Sequence, residues 1–269
     1  MAFKKIILLM ILALSFLGCA TTPESAGISE DEINAESAKA NAEIKSKSKI
    51  SNHREWSAMV QRVSQRIAAA SGKNYQWEYV LIESPEVNAW CMPGGKIAVY
   101  TGIMPVVKTE AALAAVLGHE VAHATLLHGM QSYARAKNEN LTGLIVGGAA
   151  VLGGELLCKT DQCKQLSQLG GVAAGLAVTF FNRKFSRQDE TAADQEGQLY
   201  MARAGYDPSE SVKLWERMAA AKGGKSGPEF ISTHPSDERR QQNLNGWLPQ
   251  ARSEYDRASH KYGLGETIR

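Results

Sequence analysis

The sequence is poor in the features that define several classes of protein. It has four cysteines among 269 residues, too few for a disulfide-built scaffold of this length. Its 30 basic residues nearly balance its 28 acidic ones, so the clear basic excess that nucleic-acid binding needs is missing and we expect no nucleic-acid partner. With 44% hydrophobic and 22% charged residues, the composition excludes a disordered or fibrous chain and indicates a sizeable buried core.

The first twenty residues predict export and lipid attachment. Their apolar run, 6–16, has eleven residues, whereas a membrane-spanning helix needs about 20. The run ends in Leu17-Gly18-Cys19-Ala20, which resembles the lipobox of bacterial lipoproteins. The alternative is an ordinary signal peptide with a chance cysteine. We therefore expect residues 1–18 to be a lipoprotein signal peptide and Cys19 to be lipidated. Alanine rather than aspartate at position 20 then implies the outer membrane, with the protein facing the periplasm.

The residues that follow the lipobox have the composition of a tether. Residues 21–49 are rich in Ser, Ala, Glu, Lys and Asn and contain no aromatic residue, which predicts little buried apolar surface. We expect residues 19–50 to be a lipidated tether, either flexible or partly helical. Residues 51–250 are expected to form one folded domain, and residues 251–269 a C-terminal tail.

Hydrophobic periodicity and turn residues predict a mainly helical α+β domain with a small sheet. Gly72 ends the first predicted helix, and Thr109 caps the helix at the centre of the chain. The expected elements are a helix at 56–72, a strand at 75–82, two strands at 87–92 and 96–101 around a Pro-Gly-Gly turn, a helix from 110 past His128, and helices at 187–204 and 207–218.

Two glycine-diluted apolar stretches, 141–157 and 166–181, lie between the predicted helices. Each is under 18 residues long, so a membrane hairpin is a weak alternative to a packed helical hairpin near the site. Interfacial membrane contact is a further alternative. Cys158 and Cys163 flank the polar piece between the stretches. In an oxidising periplasm they form either a local disulfide or two free thiols, and the sequence does not choose.

The pentapeptide His119-Glu120-Val121-Ala122-His123 predicts a metal site. Its two histidines are four residues apart in a helical pattern, so both imidazoles lie on one face and can share a metal ion. Zinc lowers the pKa of a bound water to about 7, and Glu120 is placed to take the proton of that water. The motif therefore indicates hydrolytic chemistry.

A catalytic zinc site also needs a third protein ligand and an open position. The metzincin spacing would place a histidine at 129, where this chain has Gly129. We interpret His128 as a structural histidine at the helix end. Glu190 is the better candidate, with Asp194 one turn later to orient a ligand imidazole. The alternative for both is a solvated acidic helix face.

Ordered motifs between about residues 54 and 248 carry a family resemblance. They are Val87-Asn88-Ala89-Trp90, Pro93-Gly94-Gly95, Tyr100-Thr101-Gly102, the HEVAH helix with His128-Gly129, Ser186-Arg187 with Glu190, Ala193, Asp194 and Gly197, Ala204-Gly205-Tyr206-Asp207-Pro208, and Thr233-His234-Pro235 with Arg239 and Arg240. Together they resemble the zinc metalloendopeptidase family that includes the CAAX prenyl endopeptidases, HtpX, BepA and LoiP. The lipobox and the short apolar runs are similar to its soluble periplasmic lipoprotein branch.

The resemblance implies a zincin-type (gluzincin) domain with one Zn²⁺ per chain. It assigns His119, His123 and Glu190 as metal ligands and Glu120 as the general base. It also places His234 near the zinc, where it either stabilises the oxyanion of the intermediate or occupies the open metal position. Arg240 either orients this region or is an exposed helix arginine, and Cys91 is disfavoured as a ligand.

An extended strand beside the metal pairs with the substrate backbone in zinc proteases of this type. Asn88, Ala89 and Trp90 resemble that strand, and Asn88 is also placed to hold a substrate amide. The alternative for Trp90 is ordinary sheet packing. Backbone pairing needs extended chains, so the expected substrates are unfolded or extended polypeptides.

The expected function is a zinc metalloendopeptidase that cleaves unfolded or misassembled envelope proteins in quality control. The alternative is an assembly factor or chaperone for outer-membrane proteins that cuts rarely, in contact with the outer-membrane assembly machinery. A zinc-dependent hydrolase of a non-peptide envelope component is disfavoured by the protease motifs.

Overall fold

The computed structural model describes residues 27, 29–141, 185–221, 234, 238–265 and 267–268. Cys19, the Cys158–Cys163 pair and residues 142–181 lie outside the described residues, so the signal peptide, the lipid, the disulfide and the apolar hairpin stay predictions. None of the helices in the described ranges has the length and apolar character needed to cross a membrane.

The described residues form a mainly helical fold with one three-stranded sheet, which confirms the expected α+β class. In chain order the elements are α1 (Glu30–Lys47), α2 (Arg54–Ser71), β1 (Glu78–Ile82), β2 (Ala89–Met92), β3 (Lys96–Tyr100), a 3-10 turn (Thr101–Ile103), α3 (Met104–Val107), α4 (Glu110–Thr125), α5 (His128–Leu141), α6 (Arg187–Arg203), α7 (Ser209–Ala221) and α8 (Glu238–Arg257).

The sheet has the strand order β1-β3-β2, so β3 is the central strand and β1 and β2 are the two edge strands. β3 pairs in parallel with β1 and antiparallel with β2. The β2–β3 turn contains Gly94 and Gly95, both with positive φ, a conformation that glycine adopts without steric cost. The predicted turn therefore joins β2 to the centre of the sheet and leaves the other edge of β2 facing α4.

Helix α4 is the central element, and all of its residues are buried. Thr109 caps it as predicted: its side chain accepts a hydrogen bond from the backbone N–H of Ala112 at 3.1 Å. The helix is rich in alanine, so neighbouring helices can approach closely. It packs between α2, α6, α7 and the β2 side of the sheet.

Helices α4 and α6 cross in backbone contact at Gly118 and Gly197. A Cβ atom on Gly197 would lie 2.6 Å from the backbone nitrogen of His119, and one on Gly118 would lie 2.5 Å from the carbonyl oxygen of Gly197. Two glycines thus set the separation of the helices that carry the histidine pair and Glu190.

Gly197→Ala is expected to destabilise the protein by about 1–3 kcal/mol, because the added methyl group forces the two helix backbones apart. Gly246→Ala in α8 is the matched control, since a Cβ there meets nothing within 4 Å. That control should be neutral or stabilising by about 0.5–1 kcal/mol, the usual gain from alanine in a helix. Urea unfolding measures both. Equal stability of the two variants would contradict the close crossing.

Helix α1 packs on the folded domain, which corrects the tether expectation for residues 30–47. Ala40 and Ile44 pack against the sheet beside Trp90, and Ile33 packs against Met130 of α5. Burial of each isoleucine contributes about 1.5–3 kcal/mol. The helical alternative is therefore present, but the expectation that this segment buries little apolar surface is wrong.

The fold also continues beyond the expected boundary at residue 250. Helix α8 runs to Arg257, and its Ala251 is buried against Leu199 and Ala202 of α6. Farther along, Thr267 forms an antiparallel bridge with Thr109. Much of the expected tail is thus part of the packed domain.

The helix that begins at Glu110 does not run past His128 as expected. It ends at Thr125, and Leu127 adopts a left-handed φ of 60° before α5 starts at His128. This break turns the chain and brings His128 back towards the site.

Candidate metal and active site

Four buried side chains converge where α4, α6 and His234, four residues ahead of α8, meet. They are His119, His123, Glu190 and His234, and one ligand atom from each lies within 4.8 Å of the others. The Nε2 atoms of His119 and His123 are 3.1 Å apart. Two zinc-bound nitrogens in a tetrahedral site are separated by about 3.3 Å, so this spacing fits a shared metal ion.

Glu190 completes the set from the first turn of α6. Its Oε1 lies 3.4 Å from His123 Nε2 and its Oε2 lies 3.5 Å from His119 Nε2. Ser186 and Asp189 form a reciprocal capping box that fixes the start of this helix. The third ligand candidate from the sequence therefore lies against both histidines. The alternative of a solvated acidic face does not describe it, because Glu190 and Asp194 are both buried.

The charge state of the cluster suits metal binding. Burial lowers the pKa of His119 and of His123 well below the usual range, so both imidazoles are neutral and offer a lone pair. Burial acts to raise the pKa of Glu190, but the charge of the neighbouring His234 and the contacts with His123 and His234 outweigh it and hold the pKa below its ordinary value. The donor set is thus two neutral nitrogens and a carboxylate, a set that zinc accepts.

Glu120 lies beside this cluster on the side of β2. A hydrogen bond from the Cys91 backbone reaches it, and its Oε1 has no hydrogen-bond partner among the described residues. Burial raises the pKa of Glu120 to about 7. A buried carboxylate oxygen that accepts no hydrogen bond from a described residue, next to a metal-type donor set, is placed to accept a proton from water.

Asp194 and Arg240 support the cluster from behind. Asp194 Oδ1 accepts a hydrogen bond from His119 Nδ1 at 2.9 Å, which leaves Nε2 of that ring for the metal. Arg240 donates to the same Oδ1 at 2.6 Å, and its guanidinium stacks 3.4 Å from the Trp215 ring centroid. Arg240 is buried, so the alternative of an exposed helix arginine is wrong.

His234 lies inside the cluster. Its Nδ1 is 2.9 Å from Glu190 Oε1 and 3.1 Å from His119 Nε2, while its Nε2 is 3.6 Å from Glu120 Oε1. Arg240 is 3.4 Å from its backbone carbonyl. His234 is thus a fourth candidate ligand beside the two histidines of α4 and Glu190.

The outer edge of β2 faces the cluster. Asn88, Ala89 and Trp90, the residues expected to hold substrate, make different contacts in the structure. Tyr100 donates its N–H to the Asn88 carbonyl, so alternation along the strand points the backbone of Ala89 and Cys91 away from β3. Trp90 pairs with Ala98, and its side chain is buried in the core. The Asn88 side chain is bound to Glu86 and to the Ala89 N–H.

His128, interpreted from the sequence as structural, contacts a metal-ligand candidate directly. Its Nδ1 lies 2.9 Å from Nδ1 of His123, and its Nε2 lies 3.8 Å from Asp189 Oδ1. Phe185 stacks on the other side of His123, with ring centroids 4.0 Å apart. His128 therefore does for His123 what Asp194 does for His119: it accepts the Nδ1 proton and leaves Nε2 for the metal.

His128→Phe is expected to weaken metal affinity about 10- to 100-fold, because His123 loses the acceptor that fixes its tautomer. His128→Gln keeps an acceptor and should lose less. His260→Phe, at an exposed histidine, is the matched control and should bind like wild type. Competition with a chelating dye measures all three. Equal affinity of the Phe and Gln variants would show that only the packing of His128 matters.

Comparison with known proteins agrees with this arrangement. The model of peptidase family M48 matches residues 52–248. The chain is 38% identical over 195 residues to the mitochondrial metalloendopeptidase OMA1 of Schizosaccharomyces pombe, covering 71% of this chain and 53% of that one. It is 32% identical over 178 residues to human OMA1, covering 65% and 33% of the two chains.

A bacterial relative is more distant. The chain is 27% identical over 175 residues to the beta-barrel assembly-enhancing protease of Escherichia coli, covering 65% of this chain and 35% of that one. The chain thus spans about half the length of the OMA1 proteins of Schizosaccharomyces pombe and Saccharomyces cerevisiae, and about a third of the human and Escherichia coli relatives. The matched region contains every member of the cluster described above, and the chain belongs to peptidase family M48.

Proposed function

We propose that this protein is a zinc-dependent endopeptidase that cleaves unfolded or extended polypeptides. The observation that carries the proposal is the buried cluster of two neutral histidines and Glu190, with Glu120 beside it, whose Oε1 accepts no hydrogen bond from a described residue. His119, His123 and Glu190 would hold the ion. Zinc, when bound, supplies the Lewis acidity that activates water and polarises a carbonyl near neutral pH.

The residues around the cluster have separate tasks in peptide hydrolysis. Glu120 accepts the proton of the attacking water and delivers it to the leaving amine. The carbonyl oxygens of Ala89 and Cys91 on the outer edge of β2 accept hydrogen bonds from an extended substrate strand, whereas the N–H groups of these residues are held by the Asn88 side chain and by Glu120. Pairing through backbone groups selects for conformation more than for sequence, which supports unfolded chains as substrates. His234, which lies among the other three ligand candidates, would donate a hydrogen bond from its ring to the developing oxyanion.

Cleavage of casein and of a tightly folded protein of similar size tests the proposal. We expect casein to be cut and the folded protein to stay intact. A chelator should stop cleavage, and stoichiometric zinc should restore it. Metal analysis of the purified protein should find about one equivalent. Cleavage that survives complete removal of the metal would overturn the proposal.

We further propose that the enzyme is anchored by a lipid on Cys19 to the outer membrane, where it acts on envelope proteins in the periplasm. The motif Leu17-Gly18-Cys19-Ala20 supports this location. So does the similarity to a bacterial protein named for β-barrel assembly, although the OMA1 relatives are named as mitochondrial. Fractionation of Cys19→Ser tests the anchor: the variant should leave the membrane fraction. Retention at the membrane would contradict lipid attachment.

A further inference from the structure

A cavity of about 250 Å³ opens between α6 and α8, directly beside the metal cluster. Its walls are Phe185, Arg187, Glu190, Thr191, Asp194, Arg239, Arg240 and Asn243. This volume suits one amino-acid side chain and is below that of a site for a drug-sized ligand. Because Glu190 belongs both to the cavity wall and to the cluster, a side chain in the cavity comes from a residue that flanks the scissile bond.

Some of the charged groups around the cavity are paired with each other, and others are not. The two carboxylates in the wall, Glu190 and Asp194, are buried and face Arg240 at 3.1 and 2.6 Å. Arg187 and Arg239 are exposed, and no ion pair or side-chain hydrogen bond to a described residue engages either guanidinium. The free charge at the mouth of the cavity is therefore positive, and it comes from two arginines on two different helices.

We propose that this cavity is a specificity subsite that prefers a glutamate or aspartate side chain next to the scissile bond. The inference rests on the proposed endopeptidase function and adds a substrate preference to it. Guanidinium groups bind carboxylates through paired hydrogen bonds, and Asn243 adds a neutral amide donor in the same wall, whereas the Thr191 hydroxyl already donates to the Arg187 carbonyl. Backbone pairing along β2 leaves sequence preference to such side-chain subsites.

The test uses two sets of peptides. In one set the residue before the cleaved bond is Glu, Gln or Lys, and in the other set the residue after it is varied in the same way. We expect kcat/KM to be highest for Glu on one side of the bond. The advantage over Gln should be about two- to fivefold for each arginine, the range for exposed ion pairs. Since both arginines are exposed, the preference should also shrink as salt is raised.

Two variants and one control assign the effect to the cavity. Arg187→Gln with Arg239→Gln should remove the preference for Glu, and Arg187→Glu with Arg239→Glu should turn it towards Lys. Arg252→Glu is the matched control, an exposed arginine farther along α8, and should keep the wild-type preference. Equal rates for Glu and Gln peptides in wild type, or the same loss in the control, would overturn the subsite.

A binding measurement separates this inference from the proposed function. Fluorescence anisotropy with the Glu120→Gln protein reports peptide affinity without cleavage. Tighter binding of Glu peptides that is lost in the double arginine variants supports the subsite. If wild type cuts no peptide, that result refutes the protease assignment alone and leaves the subsite standing. Efficient cleavage without any preference in rate or affinity would refute the subsite alone.

Discussion

Glu120→Gln should reduce peptide cleavage by about a hundredfold to ten-thousandfold while the protein keeps its metal. The substitution preserves the size and most of the polarity of a buried side chain, but an amide cannot accept the proton of the attacking water. The burial that raises the pKa of this carboxyl to about 7 is the property that suits it to the task. Single-turnover rates on a quenched peptide, together with metal analysis, measure both parts of the prediction.

The matched control is Glu55→Gln, at an exposed glutamate of α2. It should cleave like wild type. The Glu120→Gln protein should have an unchanged or slightly raised melting temperature, because it no longer buries an ionisable group. Substantial cleavage by a metal-loaded Glu120→Gln protein would show that another group takes the proton, and the assignment of the general base would fail.

Glu190→Gln should weaken zinc affinity by more than about a hundredfold, which exceeds the effect expected at the supporting residues. Glu190 supplies an anionic carboxylate whose Oε1 and Oε2 lie 3.4 and 3.5 Å from the Nε2 atoms of His123 and His119, and an amide oxygen is a much weaker ligand for zinc. Arg240 keeps its contact with Asp194 at 2.6 Å, so the variant should still fold.

Asp194→Asn is compared with Glu190→Gln to distinguish a metal ligand from a residue that only orients a ligand. Asp194 touches His119 Nδ1 and not the metal position, so its loss should cost only about 10- to 100-fold in affinity. Glu196→Gln, farther along α6 and only partly buried, should have no effect. Affinity is measured by competition with a chelator. Equal losses at positions 190 and 194 would contradict the assignment of Glu190 as the third ligand.

The parts of the structure that follow from local rules could be predicted from the sequence. Thr109 caps α4, and the Pro-Gly-Gly turn joins β2 to β3, because each depends on neighbouring residues only. The spacing of His119 and His123 on one helical face is of the same kind. Glu190 needed the family motifs as well, since nothing local links residue 190 to residue 119.

The features that were missed depend on contacts between distant segments. Helix α1 buries five residues at helical spacing: Ile33, Ser37, Ala40, Asn41 and Ile44. Because two of them are polar, the composition of the segment does not indicate a buried face. The helical spacing was the available signal. The contact of His128 with His123 does not follow from the sequence, because a helix that continued past residue 125 would put His128 on another face, whereas the left-handed Leu127 redirects the chain. Phe185 and Trp215 contact the site only through tertiary packing.

The packing of α1 on the sheet sets how far the catalytic domain can travel from a membrane. With the lipid on Cys19 as proposed, only residues 20–29 separate the bilayer from a helix that is fixed to the domain. That length of chain reaches at most about 35 Å when fully extended. The enzyme would then search a thin layer next to the bilayer rather than the whole periplasm. The distance of a polypeptide from the membrane would then decide whether it is cleaved before any subsite preference acts. A chain stalled at the membrane surface lies within reach of the enzyme, and the same chain released into the compartment does not.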